Sequence, residues 1–498
     1  MLTRLVARGF KNLDIDVQLG PFTCIAGPNG VGKSNVFDAI AFLSALAERP
    51  LLEAALEVRG GAGRMGDVRG IFRRDGSTAA ETIFLAAEMI VPPHGEDKYG
   101  QTAEASITYL RYELDLRYRA DLQARPNGGI EIVREQLRHL NVTEARRLLG
   151  FPHSEEFRRS CIMGRRTTPY ISTEDGFVLL HADSKGGKGG GSQRKFRAQD
   201  LPRTVLSSAE NAMEHRTATL ARREMLSWTQ LHLEPSSLRA PDDFTARPVI
   251  GHSGSHLPAT LYRLARDAAA ENAGDDAAVF ARVASRLSEL VEHVRSVAVD
   301  VDEKRQLLSI VMTDRNGTPH MASSLSDGTL RFLALAIMSE ERAPRPLLCL
   351  EEPENGMHPS RIPAMLRLLQ ELAVDTDEAV GDDNPLRQVL INTHSPSVVA
   401  EVPEDALLMA RLLPADKNIE FAALLPLHGT WRAPAGSEGR TVDRGDLLAY
   451  LNPIGAPREE PRPSPVRESH GRPPIRRVKD RPDLQMLLPL DGVASAAE

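Results

Sequence analysis

The chain has 498 residues, of which 41% are hydrophobic and 26% are charged, values typical of a folded globular protein with two or three domains. Its net charge of −7 excludes a protein that is basic overall, although a local basic surface for nucleic acid stays compatible with it. No apolar run approaches the roughly 18 to 20 residues of a membrane helix. The three cysteines show no spacing typical of a metal or disulfide site. We therefore expect a cytoplasmic protein that does not enter a membrane.

The first motif lies between a predicted strand, about 22–27, and a predicted helix that runs to about Ala47. Gly27 to Ser34 fits the phosphate-loop pattern GxxxxGK[ST]. In such a loop, glycines let backbone N–H groups surround a phosphate, and the helix N-terminus adds its positive dipole end. The pattern predicts that Lys33 contacts the β- and γ-phosphates and that Ser34 ligates Mg²⁺. The residues predicted to bind the nucleotide here are Asn29, Gly30, Val31, Gly32, Lys33, Ser34 and Asn35.

Three further motifs follow in the last third of the chain. The sequence Leu325-Ser326-Asp327-Gly328-Thr329 precedes an apolar helix at 330–338. A strand at 347–350 then leads into Glu351-Glu352-Pro353-Glu354, and a strand at 388–392 leads into Thr393-His394-Ser395-Pro396. Each motif alone is weak evidence, but the four together occur in a specific order.

In that order they resemble the phosphate loop, signature, Walker B strand and switch histidine of ABC-type ATPases. The phrases SDGTLRFLALA, EEPENGMHP and NTHSP most resemble the stand-alone bacterial AAA family ATPases of the RecF/SMC/OLD branch. The resemblance covers roughly residues 1–140 and 300–412. It implies an α/β P-loop NTPase with an ABC-type ATPase head, in which a parallel core sheet lies beside an antiparallel β layer.

The resemblance also implies roles for particular residues. Lys33, Glu352 and His394 would be catalytic, with Glu352 orienting the attacking water and His394 contacting the γ-phosphate. Glu351 would hold Mg²⁺ together with Ser34. Two heads would close head to tail over ATP, so that Ser326, Asp327 and Gly328 of one copy complete the ATP site of the other.

Pattern and composition suggest four regions. Residues 1–140 would form the first half of the head, with strands near 2–10, 13–19, 79–91, 104–119 and 129–139. Residues 141–300 would form an inserted helical or irregular lid, with helices near 208–224, 257–271 and 276–295. Residues 301–451 would complete the head. From about Asn452 to Pro482 the sequence is rich in proline, arginine and glutamate, which predicts that 452–498 is a disordered tail. Its last segment, Leu484 to Leu488, could be either a docking motif or a frayed terminus.

Three positions depart from the ABC pattern or stay unassigned. Glu351 stands where a Walker B aspartate is usual, one methylene longer. His358 stands at the D-loop aspartate position, and it could either act across a dimer or cap the turn before Pro359. A Q-loop glutamine cannot be assigned, since Gln136 is the only glutamine at a plausible strand end and Gln101 falls in a predicted hairpin.

Local sequence offers weak signals for nucleic-acid binding and for a nuclease. The arginines at 158, 159, 165 and 166 and the loop from Lys185 to Arg197 could contact nucleic acid, but solvated surface is the simpler interpretation because neither cluster contains interleaved aromatics. Asp300-Val301-Asp302 matches the DxD letters of a Toprim nuclease but falls in a predicted head strand. Any effector chemistry is therefore expected to come from a separately encoded, nuclease-like partner.

The leading interpretation is an ATPase that cleaves the phosphoric anhydride bond of ATP as a homodimer, and that controls an effector or senses nucleic acid in DNA repair or antiviral defence. A nucleotide-gated scaffold with negligible turnover is the first alternative. A transporter energy-coupling subunit is the second. It would place the phosphate loop and the signature roughly 100 residues apart and show a clear Q-loop, and the sequence shows neither feature.

Overall fold

The computed structural model describes residues 1–58, 68–75, 78–120, 129–183, 194–271, 277–341, 346–416, 419–434, 440–452, 476–481 and 484. Within these ranges, no helix has both the length and the apolar character required to cross a membrane.

A six-stranded sheet, here called the core sheet, forms the centre of the molecule. Its first five strands in spatial order run parallel and the sixth pairs antiparallel with the fifth. The order of the strands is Thr229–Leu231, Leu347–Glu351, Gln388–Thr393, Phe22–Ala26, Leu407–Asp416 and Ile419–Pro426. The central strands are continuous apolar runs because helices cover both faces. The carboxyl ends of parallel strands meet at one edge, which places the motifs that follow them together.

An eight-stranded antiparallel sheet, here called the flanking sheet, lies beside the core sheet and confirms the predicted β layer. The two are joined where Leu13 bridges Ala422. Its strands in spatial order are Arg194–Arg197, Phe177–Leu180, Ile171–Glu174, Gly129–His139, Tyr109–Arg119, Thr82–Ile90, Leu2–Arg8 and Asp14–Gln18. Smaller sheets are formed by Asp242–Asp243, Val294–Asp302, Leu307–Asp314 and Pro319–Met321, by Arg74–Asp75 with Thr78–Ala79, and by His94–Glu96 with Thr102–Glu104.

Helices cover the two faces of the core sheet. The phosphate-loop helix, Lys33–Leu46, shares one buried cluster with the flanking sheet, and the signature helix, Asp327–Ser339, shares the cluster on the opposite face with Ile362–Leu372. Neighbouring residues of the strand Phe22–Ala26 alternate between the clusters, with Cys24 in one and Ile25 in the other. The remaining helices are Leu51–Glu57, Val142–Leu149, Glu155–Cys161, Arg216–Leu226, Pro235–Arg239, Leu257–Glu271, Ala277–Ser288, Pro396–Glu401 and Arg444–Leu451.

The region 141–300 differs from the expected helical insertion. Ile171–Glu174, Phe177–Leu180 and Arg194–Arg197 extend the flanking sheet, and Thr229–Leu231 forms the edge of the core sheet. These strands are three or four residues long, too short to give a clear period of two. The region therefore belongs structurally to the head as much as to a lid. The helix expected near 276–295 ends at Ser288, and a strand begins at Val294.

The predicted disordered tail also requires a correction. Most of 452–498 lies outside the described residues, but Arg476–Arg481 and Leu484 are ordered against the head, and the side chains of Val478 and Leu484 are fully buried. The proline and arginine content of the tail predicted disorder. It did not predict that Val478 and Leu484 are buried, or that basic residues between them pair with acidic residues of the head.

Three residues of the candidate nuclease and nucleic-acid surfaces, Asp302, Arg159 and Arg166, have partners within the head. Asp302 lies at the end of a strand, where its Oδ1 accepts hydrogen bonds from the backbone of Lys304 and Arg305. Arg159 pairs with Glu155 one helical turn away, at 2.7 Å. Arg166 donates to the carbonyl oxygens of Ala182 and Asp183, at 2.9 and 3.0 Å. Most of the loop from Lys185 to Arg197 lies outside the described residues.

Candidate functional site

The phosphate loop adopts a backbone path that requires glycine at two positions. Gly27 and Gly32 have φ values of 154° and 108°. A Cβ atom at Gly27 would lie 2.7 Å from the carbonyl oxygen of Ala410, and one at Gly32 would lie 2.6 Å from Asn12 Oδ1. The loop is therefore packed tightly from beneath, and its exposed side carries Asn29 and Gly30.

Asn12 holds this loop from the turn between two strands of the flanking sheet, Leu2–Arg8 and Asp14–Gln18. Its Oδ1 accepts a hydrogen bond from Asn35 Nδ2 at 2.7 Å, and its Nδ2 donates to the carbonyl oxygen of Val31 at 3.3 Å. Asn35, predicted to bind nucleotide, is thus engaged with Asn12 in this structure. The neighbouring Lys11 forms an ion pair with Asp38 on the phosphate-loop helix.

Lys33 lies at the start of that helix with its ammonium group turned into the loop. Nζ donates to the carbonyl oxygens of Gly27 and Pro28, at 2.7 and 2.8 Å. Burial lowers the pKa of Lys33, and the charges of Glu352 and Glu354 partly oppose that shift. Ser34 is exposed at the first turn of the helix. The loop, the helix N-terminus and the lysine thus provide the donors and positive charge that a triphosphate requires.

Glu351 ends its core strand beside a glutamine from the neighbouring strand. Gln230 Nε2 donates to Glu351 Oε1 at 2.7 Å, and the two strands pair in parallel, with Gln230 opposite Cys349. This contact makes Gln230 the best candidate for the Q-loop glutamine. The absence of a Q-loop glutamine therefore no longer argues against a transporter subunit. The separation of roughly 290 residues between Lys33 and Ser326 still argues against it.

Gln136 and Gln101, the two glutamines named in the sequence analysis, lie away from the phosphate loop. Gln136 is in the flanking sheet, where its Oε1 accepts a hydrogen bond from Arg134. The backbone of Gln101 closes a hairpin with Asp97. The local sequence around Gln230, WTQLHLEPSSLR, gives only a weak signal, because its strand Thr229–Leu231 has three residues.

Glu352 is held at its backbone and at both carboxylate oxygens. Its N–H donates to the Oδ1 and the carbonyl oxygen of Asn392, each at 3.1 Å. Oε1 lies 2.8 Å from His394 Nδ1, and Oε2 accepts from Asn355 Nδ2 at 2.7 Å. Burial alone would raise the pKa of Glu352, but the hydrogen bonds from Asn355 and His394 and the charge of Lys33 lower it below its ordinary value. Glu352 is therefore ionised at neutral pH, and His394 donates through Nδ1 because a carboxylate only accepts.

Glu354 supports His394 from below. Thr393 Oγ1 donates to Glu354 Oε1 and accepts from the backbone N–H of Ser395 at 2.9 Å, so the hydroxyl of Thr393 connects the residue after His394 to the carboxyl group of Glu354. Among the described residues, Glu354 Oε2 is buried without a hydrogen-bond partner, and burial raises the pKa of Glu354. This residue was not predicted to contribute to the site.

The signature residues pack against the turn that follows Glu354 in the same chain. Ser326 caps the signature helix by accepting from the N–H of Thr329 at 3.3 Å, and Ser326 itself is exposed. A Cβ atom at Gly328 would lie 2.8 Å from the carbonyl oxygen of Gly356, so the helix packs directly on the turn after Glu354. Arg239 donates to Asp327 and to the carbonyl oxygen of Leu325.

His358 has the contacts of a structural cap. Its Nδ1 accepts from the backbone N–H of Ser360 at 3.3 Å and lies 2.8 Å from Ser360 Oγ. The short turn Pro359–Arg361 follows. Of the two interpretations considered for His358, this geometry favours the cap.

One family profile matches this chain. It is described as "AAA domain, putative AbiEii toxin, Type IV TA system", and it matches residues 22–85 and 165–400. The chain belongs to this family. The first matched section contains the phosphate loop and the second contains Gln230, the signature, Glu351, Glu352 and His394. Membership identifies an ATP-binding protein of the ATPase type and agrees with the RecF/SMC-like resemblance and the P-loop fold. No curated protein matches the chain.

Solved structures of SMC head domains are among those similar to this one. An Smc head bound to the C-winged helix domain of ScpA shares 13% identity over 86% of this chain and 98% of its own, with a TM-score of 0.42. The SMC head domain from Thermotoga maritima shares 12% identity over 86% and 99%, with a TM-score of 0.36. A Pyrococcus furiosus Smc head with an extended coiled coil, bound to the C-terminal domain of ScpA, shares 13% identity over 85% and 96%, with a TM-score of 0.41.

Proposed function

We propose that this chain hydrolyses ATP, with Glu352 as the carboxylate that orients and polarises the attacking water. The supporting observation is the arrangement around Glu352, which is ionised, fixed by His394 and Asn355, and close enough to Lys33 for their charges to interact. Phosphoryl transfer depends mainly on positioning and on stabilising developing charge. A fixed carboxylate beside a phosphate-binding lysine meets both requirements.

The phosphate groups would be held by the loop N–H groups, by Lys33 and by the N-terminus of the phosphate-loop helix. Ser34 and Glu351 would hold Mg²⁺, and Gln230 would keep the Glu351 carboxylate oriented. Bound Mg²⁺ would neutralise part of the charge on the β- and γ-phosphates. Glu351 is longer than aspartate, and its hydrogen bond to Gln230 restricts the additional side-chain freedom.

We further propose a head-to-tail homodimer in which the signature of one copy completes the ATP site of the other. Ser326 is exposed at the N-terminus of a 13-residue helix, where free N–H groups and the helix dipole favour an anion. Arg239 and Gly356 fix the signature from behind, which leaves its exposed side for a partner.

The first test is steady-state ATP turnover by the purified chain. Lys33→Ala should lose nucleotide binding, and Glu352→Gln should bind ATP, turn it over at least about 100-fold more slowly and accumulate as a dimer. A Glu352→Gln protein that stays monomeric at saturating ATP and Mg²⁺ would contradict the composite site. ATP binding without turnover in the wild type would instead support the nucleotide-gated scaffold.

The cellular role proposed here is control of a separately encoded effector, or sensing of nucleic acid, in antiviral defence or DNA repair. The family description names a toxin of a toxin–antitoxin system, which favours a defence role. Turnover measured with and without linear double-stranded DNA separates the two regulators. Stimulation that weakens with salt would support DNA sensing, because phosphate contacts release counterions. Turnover unaffected by DNA would support a protein regulator.

A further inference from the structure

The C-terminal strap, defined as Arg476–Arg481 with Leu484, lies against the helix that follows the switch histidine. This switch helix, Pro396–Glu401, begins just after His394 and Ser395. Val398 and Val399 are fully buried in the cluster that also contains Val478 and Leu484. A segment distant in sequence therefore packs on the element that carries His394.

The strap is bound in the manner of an extended peptide. Its backbone forms a bridge between Arg477 and Pro403. The N–H of Val478 donates to the carbonyl oxygen of Val402 at 3.1 Å, and the N–H of Glu404 donates to the carbonyl oxygen of Arg476 at 2.9 Å. Main-chain hydrogen bonds combined with buried aliphatic side chains are typical of surfaces that recognise a peptide strand.

Charge complementarity adds to this backbone pairing. Glu404 accepts hydrogen bonds from Arg476 at 2.8 Å and from Arg481 at 2.9 Å. Glu401 pairs with Arg477 at 3.3 Å and with Lys479. The side chains of Glu401 and Glu404 are only 16% and 13% exposed, so each is engaged by two cations in a partly desolvated position. Single exposed ion pairs contribute little, but a network on a shared surface contributes more and weakens with salt.

We propose that the surface formed by Glu401, Val402 and Glu404 is a peptide-docking site that the strap occupies in the resting chain. A partner protein presenting a segment with the same pattern, basic residues around two buried aliphatic ones, would displace the strap and so reach the switch helix. Loss of the strap would weaken the support of His394, and a partner segment bound in its place would restore it, so occupancy of the docking site is linked to the ATP site. This link rests on the proposed ATPase function, whereas the docking site itself does not.

The test uses a labelled nine-residue peptide with the sequence of 476–484, RRVKDRPDL, and measures its binding by fluorescence anisotropy without ATP. The proteins are the full-length wild type and two full-length variants, Val478→Asp and Arg477→Glu/Lys479→Glu. The second variant weakens the strap by reversing two charges that pair with Glu401, so it does not depend on tolerance of a buried aspartate.

We expect the peptide to bind both variants, more weakly at higher salt, and to bind the wild type at least about tenfold more weakly because the strap competes. A scrambled peptide should not bind, and adding Glu401→Lys/Glu404→Lys to Val478→Asp should abolish binding. Equal binding to wild type and variants, or no binding to folded variants, would overturn the proposal.

A second arm measures ATP turnover. Both strap variants should turn over ATP several-fold more slowly than the wild type, and saturating peptide should restore the rate of Arg477→Glu/Lys479→Glu. Peptide binding without any effect on turnover would overturn the link to His394. An inactive wild type that still shows the expected peptide binding would instead count against the proposed ATPase function alone.

Discussion

His394 Nδ1 lies 2.8 Å from Glu352 Oε1, and this contact joins the loops that follow two adjacent core strands. The strands Leu347–Glu351 and Gln388–Thr393 pair in parallel, so the loops after them leave the sheet side by side. Glu352 adopts φ of 44°, a left-handed conformation that is uncommon for glutamate. A strained backbone is typical of functional sites, where a side chain must be held in one position at a cost in stability. The hydrogen bond from His394 holds the Glu352 carboxylate in this way.

His394→Ala should lower kcat at least about tenfold with little change in ATP affinity, because Glu352 loses a donor that fixes its orientation. Turnover and equilibrium ATP binding measured side by side check this expectation. His358→Ala is the matched control, since that histidine caps an exposed turn. Equal losses in the two variants would contradict a specific role for His394.

Gln230→Ala should raise the Mg²⁺ concentration for half-maximal turnover by roughly 10- to 100-fold, the usual effect of losing a group that orients a metal ligand. Titration of Mg²⁺ at saturating ATP measures it. Gln136→Ala should leave the titration unchanged, because Gln136 contacts Arg134 on the flanking sheet. A shift in kcat alone, with the same Mg²⁺ requirement, would argue against this role of Gln230.

Glu354→Ala should lower kcat and preserve ATP binding, because Thr393 and the turn at Ser395 lose their common support. The lost hydrogen bond to a buried partner is worth about 1 to 3 kcal/mol. Glu354→Gln keeps an oxygen acceptor for Thr393 and should retain most of the activity. If the glutamine variant is as slow as the alanine variant, the charge of Glu354 matters rather than its hydrogen bond.

Lys33→Ala protein mixed with Ser326→Arg protein should regain part of the turnover that each lacks alone. In a mixed dimer, the intact phosphate loop of one copy can meet the intact signature of the other. The control mixes Ser326→Arg with a chain carrying both substitutions, which leaves no intact composite site. Restored turnover in that control, or none in the first mixture despite mixed dimers, would exclude completion in trans.

Stability should depend on pH through Glu135, a fully buried carboxyl group in the flanking sheet. Burial raises its pKa to about 7, although the N–H groups of Leu206 and Val205 and the hydroxyl of Tyr112 oppose the shift. Because the folded state binds the proton of Glu135 more tightly than the unfolded state, proton binding adds to the free energy of unfolding. This addition is complete below about pH 4.5 and is lost as pH rises through about 7. The difference between these two pKa values corresponds to roughly 3 kcal/mol of the free energy of unfolding.

The free energy of unfolding measured between pH 5 and 8 for wild type and Glu135→Gln provides the check. The wild type should lose stability relative to the variant as pH rises, since glutamine does not titrate. Parallel curves would show that Glu135 has no raised pKa in the folded chain.

The sequence was sufficient for features set by local spacing. The phosphate loop, the acidic pair Glu351-Glu352 and the strands on either side could be predicted because each motif is contiguous. Gln230 could not, since its role arises only when a three-residue strand pairs with Leu347–Glu351 across more than 100 residues. The contacts of Asn12 and Glu354 could not be predicted for a similar reason, because their partners are distant in sequence or belong to another motif. The order of the strap was not predicted, although Leu484 begins the segment for which a docking motif was an open alternative, because composition averages over its few anchoring residues.

The order of the core strands has a consequence for how the chain folds. Phe22–Ala26 pairs on one side with Gln388–Thr393 and on the other with Leu407–Asp416, partners that lie about 360 to 390 residues later. During synthesis at about 5 to 20 residues per second, this strand waits roughly 20 to 80 seconds before either neighbour exists. Non-local parallel pairing is also slow to form and exposed to aggregation. The nascent chain is therefore expected to depend on chaperones, and truncated versions that keep the phosphate loop but end before residue 388 should be insoluble.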